Sequence, residues 1–451
     1  MADYDTIFIG SGHATWHAAV ALALAHAQHK VAIIEEDTIA GTCTNFGCDA
    51  KILLDGPFEL TEQLKQYQGI GVNTTPTIDW SQLMAYKQQV IQPLSVQMTA
   101  VFKQLGITII TGHGELTDTH TVQVADSTYT ADTIVIGTGQ RPAKLAIPGA
   151  DLMHDSRDFL DLPTMPKRLI LIGAGIISLE FANMAVLLGS EVHIIEFADR
   201  ALPAFYSEHV KKMITHLQAA GVHFHFGEAL SQVTKTATGL MATTASGLKI
   251  ESDDIIAATG RIPNIEHLGL TKVGIKTDRH GIIVDDHLRT SIPNIYASGD
   301  VISKTLPKLT PTAIFESNYI AGQLLGSTAA IDYPVIPAVV FTLPRIAQVG
   351  VSVEAAQHDT EHFHVQALPY GKLLAFQYQN EVDADLQLVF DQENYLVGAS
   401  IYGNRAPDLI NLLTMIIADH VSATTLSQKI FAFPSASVGI IDMLTPLLHH
   451  D

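Results

Sequence analysis

Two cysteines in 451 residues are too few to staple a fold, which excludes a disulfide-built scaffold of the small secreted kind. Basic residues are also scarce. Lys and Arg number 26 against 46 Asp and Glu, for a net charge of −20 at pH 7. A nucleic-acid backbone or an anionic bilayer would be repelled overall, and small-molecule or protein partners are favoured. Long apolar runs are missing too: Val20 to Ala27 and its like fall far short of the ~18 residues that suggest a spanning helix, so no membrane partner is expected. The amino terminus enters a strand-like run, Thr6-Ile7-Phe8-Ile9, without a basic region or small-residue cleavage site ahead of it, which makes the cytosol the default address.

Charged residues are 16% and apolar residues 47%, and Gly (32) outnumbers Pro (19), a balance that excludes disorder, collagen and coiled coil and suits a loop-punctuated α/β chain. The length predicts two or three domains. Histidine is abundant: with all 21 protonated the net charge would move from −20 to +1, so the surface charge depends strongly on mild acidity.

Asp5 to Glu35 reads as strand, glycine turn (Gly10-Ser11-Gly12-His13-Ala14-Thr15), alanine-rich helix and strand. The pattern returns about 160 residues later, with Leu169 to Ile172, Gly173-Ala174-Gly175-Ile176-Ile177-Ser178, a helix through Leu188, and Val192 to Glu196. Two βαβ units so far apart imply two dinucleotide sites. In each, the first two glycines let the backbone approach a pyrophosphate at a helix N-terminus, and an acid ending the second strand meets ribose hydroxyls. Gly10, Gly12 and Glu35 fit those roles, as do Gly173, Gly175 and Glu196, with Thr15 and Ser178 in the third glycine place. A carboxylate at 196 repels a 2′-phosphate, so NADH is favoured over NADPH, Arg200 being the one nearby cation.

Between the repeats the chain predicts helices from Phe58 to Leu105, a strand pair near Ile107 to Ile110 and Thr121 to Val124, and a hinge at Pro142, Pro148 and Gly149. The texture changes again near Tyr333, to alternating strands followed by helices. The cysteines stand together, at Cys43 and Cys48 in Gly41-Thr42-Cys43-Thr44-Asn45-Phe46-Gly47-Cys48-Asp49-Ala50-Lys51. Random placement would bring two so close in roughly two chains in a hundred. Cytosolic disulfides are usually catalytic or redox-sensing, the intervening glycine permits the bend that closes the ring, and a zinc pair lacks a second cluster.

With these motifs in this order, the chain resembles the class I pyridine nucleotide-disulfide oxidoreductases, the glutathione reductase, dihydrolipoamide dehydrogenase and mercuric reductase group. The resemblance also takes in Ala258-Thr259-Gly260-Arg261-Ile262-Pro263-Asn264, Thr290 to Asp300, Leu309-Thr310-Pro311 and Val340-Phe341-Thr342. It implies an α/β fold of two Rossmann-like dinucleotide-binding domains, for FAD and NAD(P), plus a C-terminal α+β dimerisation domain. The expected divisions are 1–150 and 264–332 for FAD, 151–263 for NAD(P) and 333–451 for a homodimer contact. It further implies FAD held by Gly10, Gly12, Glu35, Thr42, Gly114, Gly139, Asp300 and Thr310, and the nicotinamide cofactor by Gly173, Gly175, Ile177, Glu196 and Gly260. Cys48 would lie beside the flavin and Cys43 would meet an oxidised small-molecule substrate, with Lys51 and Glu180 as the ion pair near flavin N5. Ile176 stands where many relatives carry a tyrosine gate.

Two departures stand out. The family box usually places its lysine four residues after the second cysteine, whereas Lys51 is three after it and Ile52 takes the fourth place; one residue is about 100° of helix rotation. In the carboxyl-terminal segment Phe431 to Val438, Phe433 replaces the expected base and Val438 its orienting acid. General acid-base help is worth roughly 10²–10⁴-fold, so ordinary disulfides should turn over slowly while an activated sulfur species, an electrophilic oxidant, a quinone or a metal ion would not need that proton. The missing carboxyl-terminal cysteine pair disfavours mercuric ion. A flavin-binding redox sensor or assembly partner and a dihydrolipoamide dehydrogenase-like complex subunit are the alternatives. Of the other histidines, His223 and His225 share a strand face without an evident third ligand; His358, His362 and His364 read as polar surface, and His449 and His450 as a frayed end.

Overall fold

The computed structural model describes residues 2–26, 28–74 and 76–450. Its first sheet has seven strands: β1 (Tyr4–Ile9), β2 (Val31–Glu35), β3 (Thr108–Thr111), β4 (Gly114–Leu116), β5 (Thr121–Val124), β6 (Ser127–Ile136) and β16 (Ile295–Ala297). Parallel strands covered on both faces read as unbroken apolar runs, and Ile7, Phe8, Ile33 and Val135 are fully buried. One covering helix is α1 (Trp16–Ala25), which accounts for the apolar stretch that begins at Val20; Ala27 lies outside the described residues.

The expected pairing of the strands near 107–110 and 121–124 does not occur. β3 runs parallel to β2 at one edge, whereas β5 is antiparallel to β6 on the far side of β1. The reason is topological: β2 offers a free parallel edge to the strand that follows the long excursion through α2 (Gly41–Phe46), α3 (Cys48–Gln66) and α4 (Trp80–Gln104), while a short turn returns β5 onto its sequence neighbour β6.

The chain leaves through β7 (Gln140–Pro142) and comes back through β15 (Arg261–Pro263), and these two strands lie antiparallel side by side. Between them is a second parallel sheet in the order β10 (Val222–Phe226), β9 (Glu191–Glu196), β8 (Arg168–Ile172), β14 (Asp254–Ala257), with helices α5 (Ile176–Leu187) and α6 (Ser207–Ala220). A three-stranded meander, β11 (Leu230–Lys235), β12 (Leu240–Thr244) and β13 (Lys249–Ser252), accompanies it. After β15 the chain rejoins the first sheet, where β16 pairs parallel with the last three residues of β6, and then forms α7 (Thr310–Leu324).

The remaining sheet is antiparallel, in the order β17 (Ala338–Val340), β18 (Ile346–Gly350), β21 (Leu396–Tyr402), β20 (Asp385–Asp391), β19 (Phe363–Leu368). It packs with α8 (Ala406–Ala418) and α9 (Ala436–Leu444) around Leu386, Leu388, Leu409, Leu413 and Ile440. The architecture is thus two Rossmann-like α/β units and an α+β unit. Among the described residues no helix is long and apolar enough to cross a membrane.

The two glycine turns are copies down to the atom. Gly10 and Gly173 have φ of +97° and +96°, and a Cβ on either would lie 2.6 and 2.7 Å from a carbonyl oxygen of the neighbouring strand end, Gly137 and Ala258. Thr15, in the third glycine place, is accommodated locally: its hydroxyl donates to the Gly10 carbonyl at 2.7 Å, and its methyl fills the space where a Gly137 side chain would stand. Gly137→Ala is therefore expected to destabilise the protein by about 1–3 kcal/mol through overpacking. Adding Thr15→Gly should recover most of that loss. Urea denaturation of the single and double variants checks the coupling.

Candidate functional site

The cysteine segment is two helices joined at one glycine. α2 ends at Phe46, Gly47 turns the chain, and α3 begins directly at Cys48. A Cβ on Gly47 would stand 3.0 Å from the Thr42 carbonyl oxygen and 3.1 Å from the Cys43 Cα, so a side chain there would press α2 and α3 apart by a few tenths of an ångström. Both cysteines are thiols here, Cys43 half-buried and Cys48 exposed. Cys48 is the first residue of a 19-residue helix, and its Sγ lies 3.5 Å from the Thr310 hydroxyl at the start of α7. A hydrogen bond from the Cys43 thiol lowers the Cys48 pKa to about 6, aided by Thr310 and Lys51; the same bond raises that of Cys43. The shared hydrogen bond therefore favours charge on Cys48 over Cys43, and a helix N-terminus favours the same direction.

Lys51 reaches Glu180 despite its shift in the box, at 3.3 Å to each carboxylate oxygen. No turn separates Cys48 from its helix, and the Lys51 amide bonds to the Gly47 carbonyl at 2.8 Å, so the third position after Cys48 already faces inward. Ile52, in the place the usual spacing would give to lysine, is exposed instead. Glu180 is fully enclosed, and burial pushes its pKa up against the opposing pull of Lys51. It also accepts the Phe341 amide at 2.8 Å, and the Phe341 ring lies 3.6 Å beneath the Lys51 ammonium. Sequence reasoning missed what stands behind: Arg345, 3% exposed, pairs with Asp55 and Glu59 at 2.7 Å each. Burial pushes Asp55 to about 6 in spite of Arg345. The available signal was an arginine and an acid each embedded in apolar runs, around Pro344-Arg345-Ile346 and Leu54-Asp55.

The strand-end acids behave as a pair across the repeat. Glu35 accepts the Ser11 amide at 2.9 Å and hydroxyl at 2.6 Å, and the Asp37 amide at 2.9 Å. Glu196 accepts the Ala174 amide at 2.5 Å and the Ala198 amide at 2.8 Å. In both, the residue between the first two glycines is tied to the acid, which fixes the shape of the turn. Gly139, Gly175 and Gly260 face open space where a Cβ would point, as a cradle for a bound nucleotide requires. Gly114 is different: a Cβ there would press on Ile34 and Val122 at 3.2 Å, so it is at least a packing glycine. Asp300 is half-buried with its carbonyl on Lys308 at 2.8 Å, and its charge is felt by Arg261. Thr42 is exposed beside Cys43, and Ile176 and Ile177 are half-buried at the start of α5.

A second group escaped notice in the sequence. His13 Nδ1 lies 3.1 Å from His17 Nε2, and the His17 ring stacks on Trp16 at 3.5 Å. His17 lies in α1 and His13 in the turn before it, and that turn touches the cysteine segment, since a Cβ on Gly41 would lie 2.7 Å from the Gly12 Cα. Burial lowers both imidazoles, His17 to about 4, and leaves them neutral at pH 7. By contrast the carboxyl-terminal segment offers no titrating group at its two key places: Phe433 is 81% exposed ahead of α9, and Val438 is half-buried with its amide on the Ser435 cap at 3.2 Å.

For the thiol pair the expected result is an alkylation rate of the reduced protein that falls as pH drops through about 6. In Cys43→Ala the donating thiol is gone, and the midpoint for Cys48 should move up towards the ordinary thiol range. Iodoacetamide kinetics against pH measure both midpoints, and an unmoved midpoint would contradict the shared hydrogen bond.

Comparison with known proteins places this geometry. Residues 4–317 match the family described as pyridine nucleotide-disulphide oxidoreductase, and residues 336–443 match the dimerisation domain of the same family. The chain is 30% identical to a dihydrolipoyl dehydrogenase of Bacillus subtilis, over 96% of this chain and 93% of that one. It is 32% identical to a glutathione reductase of Burkholderia cepacia, over 98% of each. Among solved structures it is similar to the Cu(II) complex of RclA, an HOCl-induced flavoprotein disulfide reductase of Escherichia coli, with a TM-score of 0.87, 25% identity, and 97% and 98% of the two chains covered.

Proposed function

The chain belongs to the pyridine nucleotide-disulphide oxidoreductases, and from that premise we propose that it moves electrons from NADH, through FAD and the Cys43–Cys48 pair, to an acceptor whose reduction needs no delivered proton. As a member of the family it is a pyridine nucleotide-dependent flavoprotein disulfide oxidoreductase. FAD supplies, when bound, the relay of an electron pair from nicotinamide to sulfur. The chain's own part is to hold Cys48 as thiolate at a helix start, to keep Lys51 on Glu180 beside it, and to present Cys43 to the acceptor. Re-forming the sulfur bridge releases two electrons and the Cys43 proton. A disulfide acceptor must leave as two thiolates that need protons; two one-electron acceptors such as Cu(II) need none.

The observation that carries this reading is the pair Phe433 and Val438, neither able to give or take a proton, where the family carries its His and Glu. Two neutral imidazoles, His13 and His17, stand close in sequence to the turn that meets the cysteine segment and add nitrogen donors of the kind that suit copper among the acceptors. The Cu(II) complex of RclA supports the same choice. The dimerisation domain supports a homodimer, and the exposed Ile430 and Phe433 give it an apolar contact. We place the protein in the cytoplasm on its low cysteine content.

NADH oxidation followed against a panel of acceptors tests the proposal. Cu(II) should turn over at least tenfold faster than lipoamide or glutathione disulfide, and fast lipoamide turnover would defeat it. Phe433→His with Val438→Glu should raise disulfide turnover by up to about 10²-fold, while Val438→Glu alone changes little.

Nucleotide choice follows from Glu196 and from the position of Arg200, whose guanidinium is spent on the carbonyls of Leu202, Pro203 and Phe205 at 3.0 to 3.4 Å. With one of its nitrogens held by these carbonyls, Arg200 supports NADH over NADPH. The kcat/KM for NADH should exceed that for NADPH by at least tenfold, and Glu196→Ser should narrow the gap. Equal efficiencies in the unaltered enzyme would contradict the assignment.

A further inference from the structure

The helix that carries Cys48 has a weak point near its middle. Gly56 and Pro57 stand there side by side. Glycine costs backbone entropy in a helix, and proline has no amide to give to the carbonyl four residues back. A helix interrupted in this way bends at that place unless something outside holds it. Cys48 and Lys51 lie on one side of the break and Glu59 on the other.

Lys51, Asp55 and Glu59 follow one another at intervals of four, so they share a face of α3. The loop between β17 and β18 lies along that face and meets it twice. Phe341 has the Lys51 ammonium 3.6 Å from its ring centre and donates its amide to Glu180 at 2.8 Å. Four residues further on, Arg345 donates from Nη2 to Asp55 and to Glu59 at 2.7 Å each, with its guanidinium carbon 4.9 Å from the same ring. A single nitrogen therefore grips the helix before Gly56 and after Pro57.

The grip is enclosed and anchored. Asp55 is fully buried, and the Arg345 carbonyl accepts the Gly403 amide at 2.9 Å from the turn after β21. Any shift of α3 that broke the contact would strand the Asp55 carboxylate away from water without its cation, which is strongly unfavourable. Asp55 is seven residues after Cys48, about 10 Å along the helix, so Arg345 acts on the thiols only through α3. The first group on that route is Lys51, whose charge helps to stabilise a Cys48 thiolate.

We propose that Arg345 is a positioning residue for the redox pair: by holding Asp55 and Glu59 across the Gly56-Pro57 break it fixes the rotation of α3, and so keeps Lys51 on Glu180 and beside Cys48. The assignment rests on the redox reading of Cys43 and Cys48 and not on the choice of acceptor.

The test is the iodoacetamide rate at Cys48, read by peptide mass in reduced, FAD-loaded protein at mildly acidic pH, where thiolate is the scarce form. Arg345→Met should slow it about threefold, as should Lys51→Met. The double variant should be no slower than Lys51→Met alone, because both changes remove the same influence. Arg345→Lys should recover most of the rate, since the two bonds come from one nitrogen that an ammonium can replace. Should Arg345→Met fail to fold, Arg345→Met with Asp55→Leu removes the buried charges together and should show the same slowing. An unmoved rate in the arginine variants, additive losses in the double variant, or a lysine variant no faster than the methionine one would overturn the assignment. No acceptor takes part in these measurements, so their outcome and that of the acceptor panel are read separately.

Discussion

A single glycine turn sets the terms for the chemistry of this protein. Gly47 allows α2 and α3 to meet so closely that Cys43 can donate to Cys48 while Cys48 heads a long helix. Hydrogen bond, helix terminus and the nearby Lys51 act in the same direction, against the burial that opposes them, and all three favour charge on Cys48. The same abrupt start of α3 decides where Lys51 points. A helix beginning one residue later would turn that ammonium about 100° from Glu180.

Behind the thiols the protein keeps charges where water cannot reach. Glu180 meets Lys51, and Asp55 meets Arg345, with the Phe341 ring between the two cations. Pairs of this kind add little net stability, but removing one member strands the other, so they constrain side-chain positions more than they stabilise the fold. Phe341 shares Glu180 with Lys51, so the loop that opens the dimerisation domain is tied to the helix carrying Cys48. The third unit of the fold is in this way coupled to the helix of Cys48, through Glu180 and through the Arg345 pairs with Asp55 and Glu59.

The βαβ repeat was legible because its chemistry is local. A glycine that must adopt positive φ, an acid that ends the next strand, and the apolar run of a parallel strand are all written within thirty or so residues. Strand partners across the first sheet were less legible, since β3 and β5 look alike in sequence and differ only in which edge is free when they arrive. The Arg345 to Asp55 bond spans 290 residues, and no local pattern announces it. His193, likewise, is an ordinary strand residue until β10 is laid beside it.

From the sequence alone came the family, the two nucleotide-type units, the close spacing of Cys43 and Cys48, and the apolar residues Phe433 and Val438 near the carboxyl end, because each is a matter of residue identity at short spacing. Tertiary structure decided which groups surround the two sulfurs, that Lys51 meets Glu180 from its altered place, and which imidazoles gather on the outer face of the second sheet. Those outcomes depend on distances of a few ångströms between segments far apart in the chain, and only packing fixes such distances.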